Sequence, residues 1–401
     1  MQLLKIVGFQ LFKSPSPTVT KDEILSILAE AKAQTVYSTV FPFLRDWLPQ
    51  ISPELFRQKN EMFLGKVMKN TANLMEHQEL HALMTENHIP YSAIKGLASA
   101  YYYPEASLRD MGDVDFLVNE CDLERAKQAL TKIGFHVDHG DNSSVHIAFF
   151  RNPASIWEQH KMINGIPNTE TGIVIQKELD NTIKTSEIVT LDGATCRIPD
   201  RFHHGLIMLV HMIAHMTSEG IGLRHLCDWS VFANQIDDIS FQNMFEEKLK
   251  RCGLWRFAQI ITLVSQHYLG TKPKKWAQND RIDHAQLEAV MSDILNGGNF
   301  GIKDMNRYRE IKYISNRGLR TVDQKHIFFQ AISTLNQTVY SKYKWIERCK
   351  LLLPIGWAAE IGKYMALLIT GQRQNTNTSA MLREAAKRKE IYSRMRLFES
   401  E

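Results

Sequence analysis

Cysteine is scarce in this chain of 401 residues. Cys121, Cys196, Cys227, Cys252 and Cys349 are far apart and odd in number, and no Cys-x-x-Cys pair exists. That pattern suggests neither a zinc ribbon nor a disulfide framework. It fits a reducing compartment, and the cytoplasm is the expected location. A strong charge of either sign is also missing. Lys and Arg total 48 against 44 Asp and Glu, a net charge of +4, too mild to argue for a nucleic-acid partner. No apolar run reaches the length that crosses a bilayer, so no membrane span is expected. The segment Met1 to Phe12 is apolar but lacks a basic leader and a small-residue cleavage site, so it does not read as a signal peptide. There is no internal repeat and no long low-complexity stretch.

What is present is ordinary globular composition, 44% hydrophobic and 23% charged. The length allows two or three domains and a core that needs no staples. Residues 21–50 and 53–87 read as helices, the second from Phe56, Met62-Phe63, Val67-Met68, Leu74-Met75 and Leu83-Met84 recurring at helical intervals. Ile89 to Ile94 reads as a short buried strand, Val114 to Val118 as a second. Asp122 is a candidate cap for a helix from Leu123 to Lys132 with Gly134 as its stop, and Phe135 to Val137 reads as a short strand. Val145 to Phe150 and Ser155 to Lys161 form a predicted hairpin around Asn152-Pro153, and residues 165–197 read as further strands and loops with an Asp192-Gly193 turn. Helical patterns then dominate at 200–216, 223–235, 241–269, 283–295, 323–334, 340–353 and 355–370. A polar linker, 371–379, precedes a charged terminal helix, Met381 to Phe398. The fold class is therefore α+β. A helical N-terminal arm covers 1–87, a mixed α/β core 88–197, a helical C-terminal domain 198–370, and the linker and terminal helix 371–401.

The chemistry concentrates in Leu108-Arg-Asp-Met-Gly-Asp-Val-Asp-Phe-Leu-Val118. Asp113 and Asp115 are two apart, so on a strand they share a face. Two ionised carboxylates on one apolar face repel, and burial without compensation costs several kcal/mol. A hard divalent cation with oxygen ligands compensates, and Mg²⁺ commonly takes one or two protein carboxylates beside substrate phosphates. Gly112 lets the backbone approach closely just before the acids. A two-metal transfer site needs a further carboxylate. Glu158 is the best candidate, mid-strand in the predicted hairpin and brought across by a neighbouring antiparallel strand. Lys95-Gly96 followed by Leu97-Ala98-Ser99-Ala100 offers a glycine turn, a helix start and a cation to cradle a polyphosphate. By spacing alone, a solvated strand end remains an equal reading of Asp113 and Asp115.

Taken together, Ser92-Ala-Ile-Lys-Gly-Leu-Ala-Ser-Ala100, the stretch 108–118 and Trp157-Glu158-Gln159-His160-Lys161 resemble a known signature. It is that of bacterial nucleotidyltransferase-like proteins of the DNA polymerase beta superfamily, in the branch called uncharacterised nucleotidyltransferase. Leu209-Val-His-Met-Ile-Ala-His215 and Leu223-Arg-His-Leu-Cys-Asp228 resemble that branch's helical domain. The resemblance covers residues 60–230 best. It implies a polymerase-beta-like core, a mixed sheet flanked by helices, with a large helical C-terminal domain. It implies metal binding by Asp113, Asp115 and Glu158, with two Mg²⁺ ions (Mn²⁺ as a substitute) and an NTP as substrate. Lys95 and Gly96, with Ser99, Arg109 and Gly112, would face the nucleotide. The superfamily's Gly-Ser turn is Lys-Gly here, the interval from Gly96 to Asp113 is long, and Gln159 and Lys161 replace a hydrophobic residue and a tryptophan.

The expected reaction moves a nucleoside monophosphate from an NTP to an acceptor hydroxyl and releases pyrophosphate. The acceptor is unnamed by the sequence, with a protein, peptide or small molecule preferred over nucleic acid. A catalytically silent module that binds a nucleotide or a partner is the alternative, and terminal phosphoryl transfer is a third reading. Arg109 either contacts phosphate or pairs with Asp110, and Lys95 either contacts phosphate or faces solvent. His160 reads as a partner that orients Glu158 rather than a base. His211 and His215 have zinc-ligand spacing but lack a third ligand, so packed histidines are expected. Asp228 reads as an ion-pair partner of Arg224, Tyr101-Tyr102-Tyr103 as packing, and Asn296 to Gly301 as a loop.

Overall fold

A computed structural model describes residues 2–138, 143, 145–153, 155–303, 339, 352–369 and 378–400. Residues 1–304 with 395–401 form one compact unit, and 305–394 form a second. In the first, α1 (Gln2–Phe12), α2 (Ile24–Ala33) and α3 (Tyr37–Leu44) precede the long α4 (Pro53–Glu86). The helix expected over 21–50 is thus broken; Thr35 at φ +55° turns the chain between α2 and α3. α4 starts where Ser52 accepts a hydrogen bond from the Leu55 amide and Pro53 fills the first turn, where no amide donor is needed.

Five strands build the main sheet: β1 (Tyr91–Ala93), β2 (Val114–Val118), β3 (His136–Val137), β4 (His146–Asn152) and β5 (Ser155–His160), in the spatial order β1-β2-β5-β4-β3. Between β1 and β2 lies the short α5 (Gly96–Ala100), and between β2 and β3 lies α6 (Leu123–Lys132). β2 and β5 are parallel; the other neighbours are antiparallel. One face carries Phe116, Phe149 and Trp157, all fully buried, with Phe135 4.5 Å from Trp157, ring centre to ring centre. Leu74, Leu80 and Met84 of α4 and Ala126, Ala129 and Leu130 of α6 complete this core.

After the sheet come α7 (Glu170–Leu179), α8 (Thr182–Thr185) and a separate hairpin of β6 (Glu187–Leu191) and β7 (Ala194–Ile198). The expected Asp192-Gly193 turn closes that hairpin, both residues at positive φ, as a two-residue turn matched to strand twist requires. The preceding 170–185, expected as strands and loops, is helical. Thr169 caps α7 by accepting from the Gly172 amide, a local signal that outweighs the β-branched Ile173, Val174 and Ile175. Asp200 likewise caps α9 (Arg201–Met216) through the His203 amide, and α10 (Leu223–Asn234) follows. The helix expected over 241–269 breaks at Gly253, φ +63°, before the segment Trp255–Leu269. His284–Gly297 is the last helix before the short turn Asn299–Gly301.

Described helices in the second unit are Leu353–Ile369 and Thr378–Met395, near the spans expected there. The expected helices at 323–334 and 340–353, and most of the expected linker, lie outside the described residues. Among the described residues no helix is long and apolar enough to cross a membrane.

Candidate active site

β2 and β5 place Asp115 directly beside Glu158, and Leu117 beside His160. Side chains alternate along a strand, so Asp115, Glu158 and His160 leave the sheet on the face opposite Phe116 and Trp157. β4 adds His146 to the same face, opposite His160 in register. Glu158 therefore reaches the acids through parallel pairing, not the antiparallel neighbour the sequence suggested. β1 holds one edge of β2, β5 holds the other, and the hairpin partner β4 lies beyond β5.

Ligand atoms of Asp113, Asp115 and Glu158 lie within 4.8 Å of one another, as do those of His146, Glu158 and His160. Among these groups sits Lys95. Its Nζ lies 2.5 Å from Asp115 Oδ1, 3.7 Å from Glu158 Oε2 and 3.3 Å from His160 Nε2. His160 Nε2 is also 2.9 Å from Asp115 and 3.2 Å from Glu158. Lys95 thus faces the carboxylates, which neither of the sequence alternatives described. Its backbone is at φ +57°, ψ −112°, a conformation that suits glycine and costs other residues about 1–3 kcal/mol.

These contacts divide the acids. Burial opposes the charge on Asp115, but Lys95 and His160 override it and hold the carboxyl far below the usual range. Asp113 has no such pair; burial and the neighbouring Asp115 push it up to about 6. Burial works against a charged His160, and hydrogen bonds to Asp115 and Glu158 overcome that and raise it. For Lys95, burial is likewise outweighed by Asp115 and Glu158. The site thus stores one carboxylate that is fixed as an anion and one that exchanges a proton within reach of neutral pH.

A helix the sequence treated as plain core sets the height of the acids. Asn70 of α4 donates to the Ser107 carbonyl at 2.7 Å and accepts from the Met111 amide at 2.9 Å. Asn73 donates to the Asp113 carbonyl at 3.2 Å. The buried stripe of α4 at this level is Asn70, Asn73, Leu74 and His77, while Met68 and Met75, read as part of an apolar stripe, are 72% and 45% exposed. The apolar periodicity located Leu74, Leu83 and Met84 on the buried face but not the asparagines beside them, which face a loop that needs hydrogen-bond partners rather than packing.

Arg109 does not pair with Asp110. Its Nε and Nη2 donate to Asp228 of α10 at 2.8 and 2.6 Å, both residues being buried. Tyr103 donates to the same carboxylate at 2.8 Å. Asp110 is held by Lys66 at 2.9 Å and by Ser38. Arg224, expected opposite Asp228, instead donates to the Asp110 carbonyl at 3.1 Å. Gly96 and Gly112 are not demanded by sterics. A Cβ on Gly112 would meet nothing within 4 Å, and one on Gly96 would stand at ordinary contact distance from Arg109 and Asp113.

All nine sequence-predicted residues, Lys95, Gly96, Ser99, Arg109, Gly112, Asp113, Asp115, Glu158 and His160, line one cavity of about 290 Å³. α9 and α10 close its far side with His211, His215, Arg224 and His225. The ring centres of His211 and His215 are 4.4 Å apart, and Phe300 stacks edge-on to His215 at 4.9 Å. Burial keeps all three histidines neutral, His215 at about 4. The candidate metal-ligand groups among the described residues are those of Asp113, Asp115, Glu158, His146 and His160.

A sequence model of the uncharacterised nucleotidyltransferase family matches residues 20–270. The chain belongs to that family. The matched span contains α4, the whole sheet, α9 and α10, and every residue lining the cavity except Phe300. A mixed five-stranded sheet with helices on both faces is consistent with the core of such a transferase. A search of curated proteins found no match. Sequence reasoning missed His146, Arg224 and His225. Only His146 carried a signal, its place one alternation from Ala148 and Phe150 in the predicted strand.

Proposed function

We propose that this chain transfers a nucleoside monophosphate from an NTP to an acceptor hydroxyl with release of pyrophosphate. The observation that carries the reading is the convergence of Asp113, Asp115 and Glu158 on one sheet face, beside the Lys95-Gly96 turn, in a chain of a nucleotidyltransferase family. Three carboxylates offer hard oxygen donors, the set that suits Mg²⁺ or Mn²⁺. Bound there, the metal would neutralise charge on the phosphates and lower the pKa of the attacking hydroxyl.

The chain's own residues do the rest. Asp115, fixed as an anion, supplies a constant negative anchor, and Glu158 extends the set toward β4. His160 orients both through its Nε2. Lys95 pairs with Asp115 and Glu158 in this structure; with a metal cation in its place, its side chain would be free to turn to the phosphates of a bound nucleotide. The helices α9 and α10 limit water access and shape the acceptor side. A labelled-NTP transfer assay tests the reading. D113N and E158Q are expected to lose transfer by a factor of 100 or more, roughly the scale of a lost charge-stabilising contact; unchanged activity in either variant overturns the metal assignment.

The Lys95–Asp115 contact favours a second reading, a nucleotide-binding module without turnover, because Asp115 and Glu158 already have a cation beside them. Nucleotide binding with no pyrophosphate release across acceptors would establish it.

A further inference from the structure

The cavity that holds the acids is also lined by Arg109, Arg224 and His225. Two nitrogens of Arg109 are taken by Asp228, and the third, Nη1, is buried with no hydrogen-bond partner. It lies at the Gly96 turn, 3.8 Å from where a Cβ on Gly96 would stand. Arg224 is held through Nη1 by a neutral carbonyl, that of Asp110, and its Nε is buried without a partner. Among the described residues no carboxylate pairs with Arg224. The acids in reach are committed, Asp228 to Arg109 and Tyr103, Asp110 to Lys66 and Ser38. The next residue, His225, has both ring nitrogens buried without a hydrogen-bond partner.

A guanidinium has five donors and stays charged at any working pH, so Arg224 brings to this cavity a positive charge that no carboxylate hydrogen-bonds directly. A buried donor without a partner costs free energy unless a ligand satisfies it. Planar forks of this kind match phosphate oxygens in two-pronged fashion. We infer that Arg224, with the free Nη1 of Arg109 and the ring of His225, forms a subsite for phosphate oxyanions in the same cavity as the acids. The inference deepens the proposed transfer by giving the phosphates a second, metal-independent anchor. The phosphate can belong to the polyphosphate tail of the nucleotide or to a phosphorylated acceptor; the chemistry of the subsite is the same.

The test is calorimetric titration of the full chain with inorganic tripolyphosphate in EDTA, where the acids hold no metal. Wild type is expected to bind, R224Q to bind roughly 10- to 100-fold more weakly, the range for a lost hydrogen bond to a charged group, and R224K to keep part of the affinity. Wild-type affinity in R224Q, or no binding by wild type, overturns the inference. So does an equal loss in R224K and R224Q accompanied by an equal fall in Tm, which would mean a packing role. A competing NTP that displaces tripolyphosphate assigns the subsite to the nucleotide tail; an NTP that binds beside it assigns it to an acceptor phosphate, and both outcomes support the subsite. Because no transfer is measured, loss of binding in R224Q would stand even if no acceptor is ever nucleotidylated. Transfer that depends on Asp113 with intact tripolyphosphate binding in R224Q would retain the function and remove the subsite.

Discussion

Arg109 and Asp228 are 119 residues apart in sequence and meet in a buried two-pronged pair, at 2.8 and 2.6 Å. The pair ties the loop that enters β2 to α10, so the acids and the helix that carries Arg224 and His225 share one joint. Removing either partner leaves the other charge buried alone, at a cost of about 3–5 kcal/mol. R109M and D228N are each expected to fall by that amount in urea unfolding, and the double variant to lose clearly less than the sum. Additive losses would show that the two side chains act independently.

Lys95 Nζ occupies the space between Asp115, Glu158 and His160. A divalent ion competing for the same oxygens must first displace an ammonium. K95M, which keeps the length of the side chain and removes its charge, is expected to bind Mn²⁺ several-fold more tightly than wild type without nucleotide, and to transfer more slowly with it. Electron paramagnetic resonance of free Mn²⁺ reads the first effect. Weaker Mn²⁺ binding in K95M would mean that Lys95 supports the site rather than fills it.

Asp113 gives the site a pH dependence of known sign. Its folded pKa is raised from the ordinary carboxylate value to about 6 by burial and by Asp115. The folded protein therefore binds more protons than the unfolded chain between about pH 4 and 6. The stability Asp113 contributes is full below about pH 4 and is lost as pH rises through about 6. In EDTA, the Tm of wild type relative to D113N is expected to fall across that window. Metal affinity runs the other way, because the ligand is the ionised form. Mn²⁺ binding is expected to weaken up to about tenfold per unit as pH drops below 6; a flat profile would remove Asp113 from the metal set.

Strand β2, the hairpin of β4 and β5, and the three acids were legible because each is written locally: alternation around 114–118, a turn at Asn152-Pro153, carboxylates where packing alone does not call for them. What was not legible depends on distance along the chain. The partner of Arg109 lies on a helix over a hundred residues away, and nothing near position 109 distinguishes Asp228 from Asp110. The loop before β2 is hung from Asn70 and Asn73, polar residues inside a helix whose apolar periodicity showed Leu74, Leu83 and Met84 but gave no sign that its buried face also holds hydrogen-bonding groups. The parallel pairing of β2 with β5 joins strands about forty residues apart, between β1 and β4, and is a property of the assembled sheet. Sequence named the three acids, Lys95 and Arg109; only packing shows how their charges are paired and adds Arg224 to the site.

Lys95 sits at φ +57°, ψ −112°, where a Cβ is disfavoured, and the residue that follows is already a glycine. K95A and K95G both delete the ammonium and its contacts with Asp115, so they differ only in the presence of a Cβ and in the freedom of the unfolded chain. If the backbone were relaxed, alanine would be the more stable of the two by about 0.4–1 kcal/mol, because glycine is more flexible when unfolded. With the observed φ and ψ the order reverses, and K95G is expected to exceed K95A by about 1 kcal/mol in urea unfolding. A K95A variant equal to or more stable than K95G would show that the turn carries no strain. The expected order would mean that the turn holds Lys95 at a cost in stability, against the carboxylates, where a glycine would fit the backbone better.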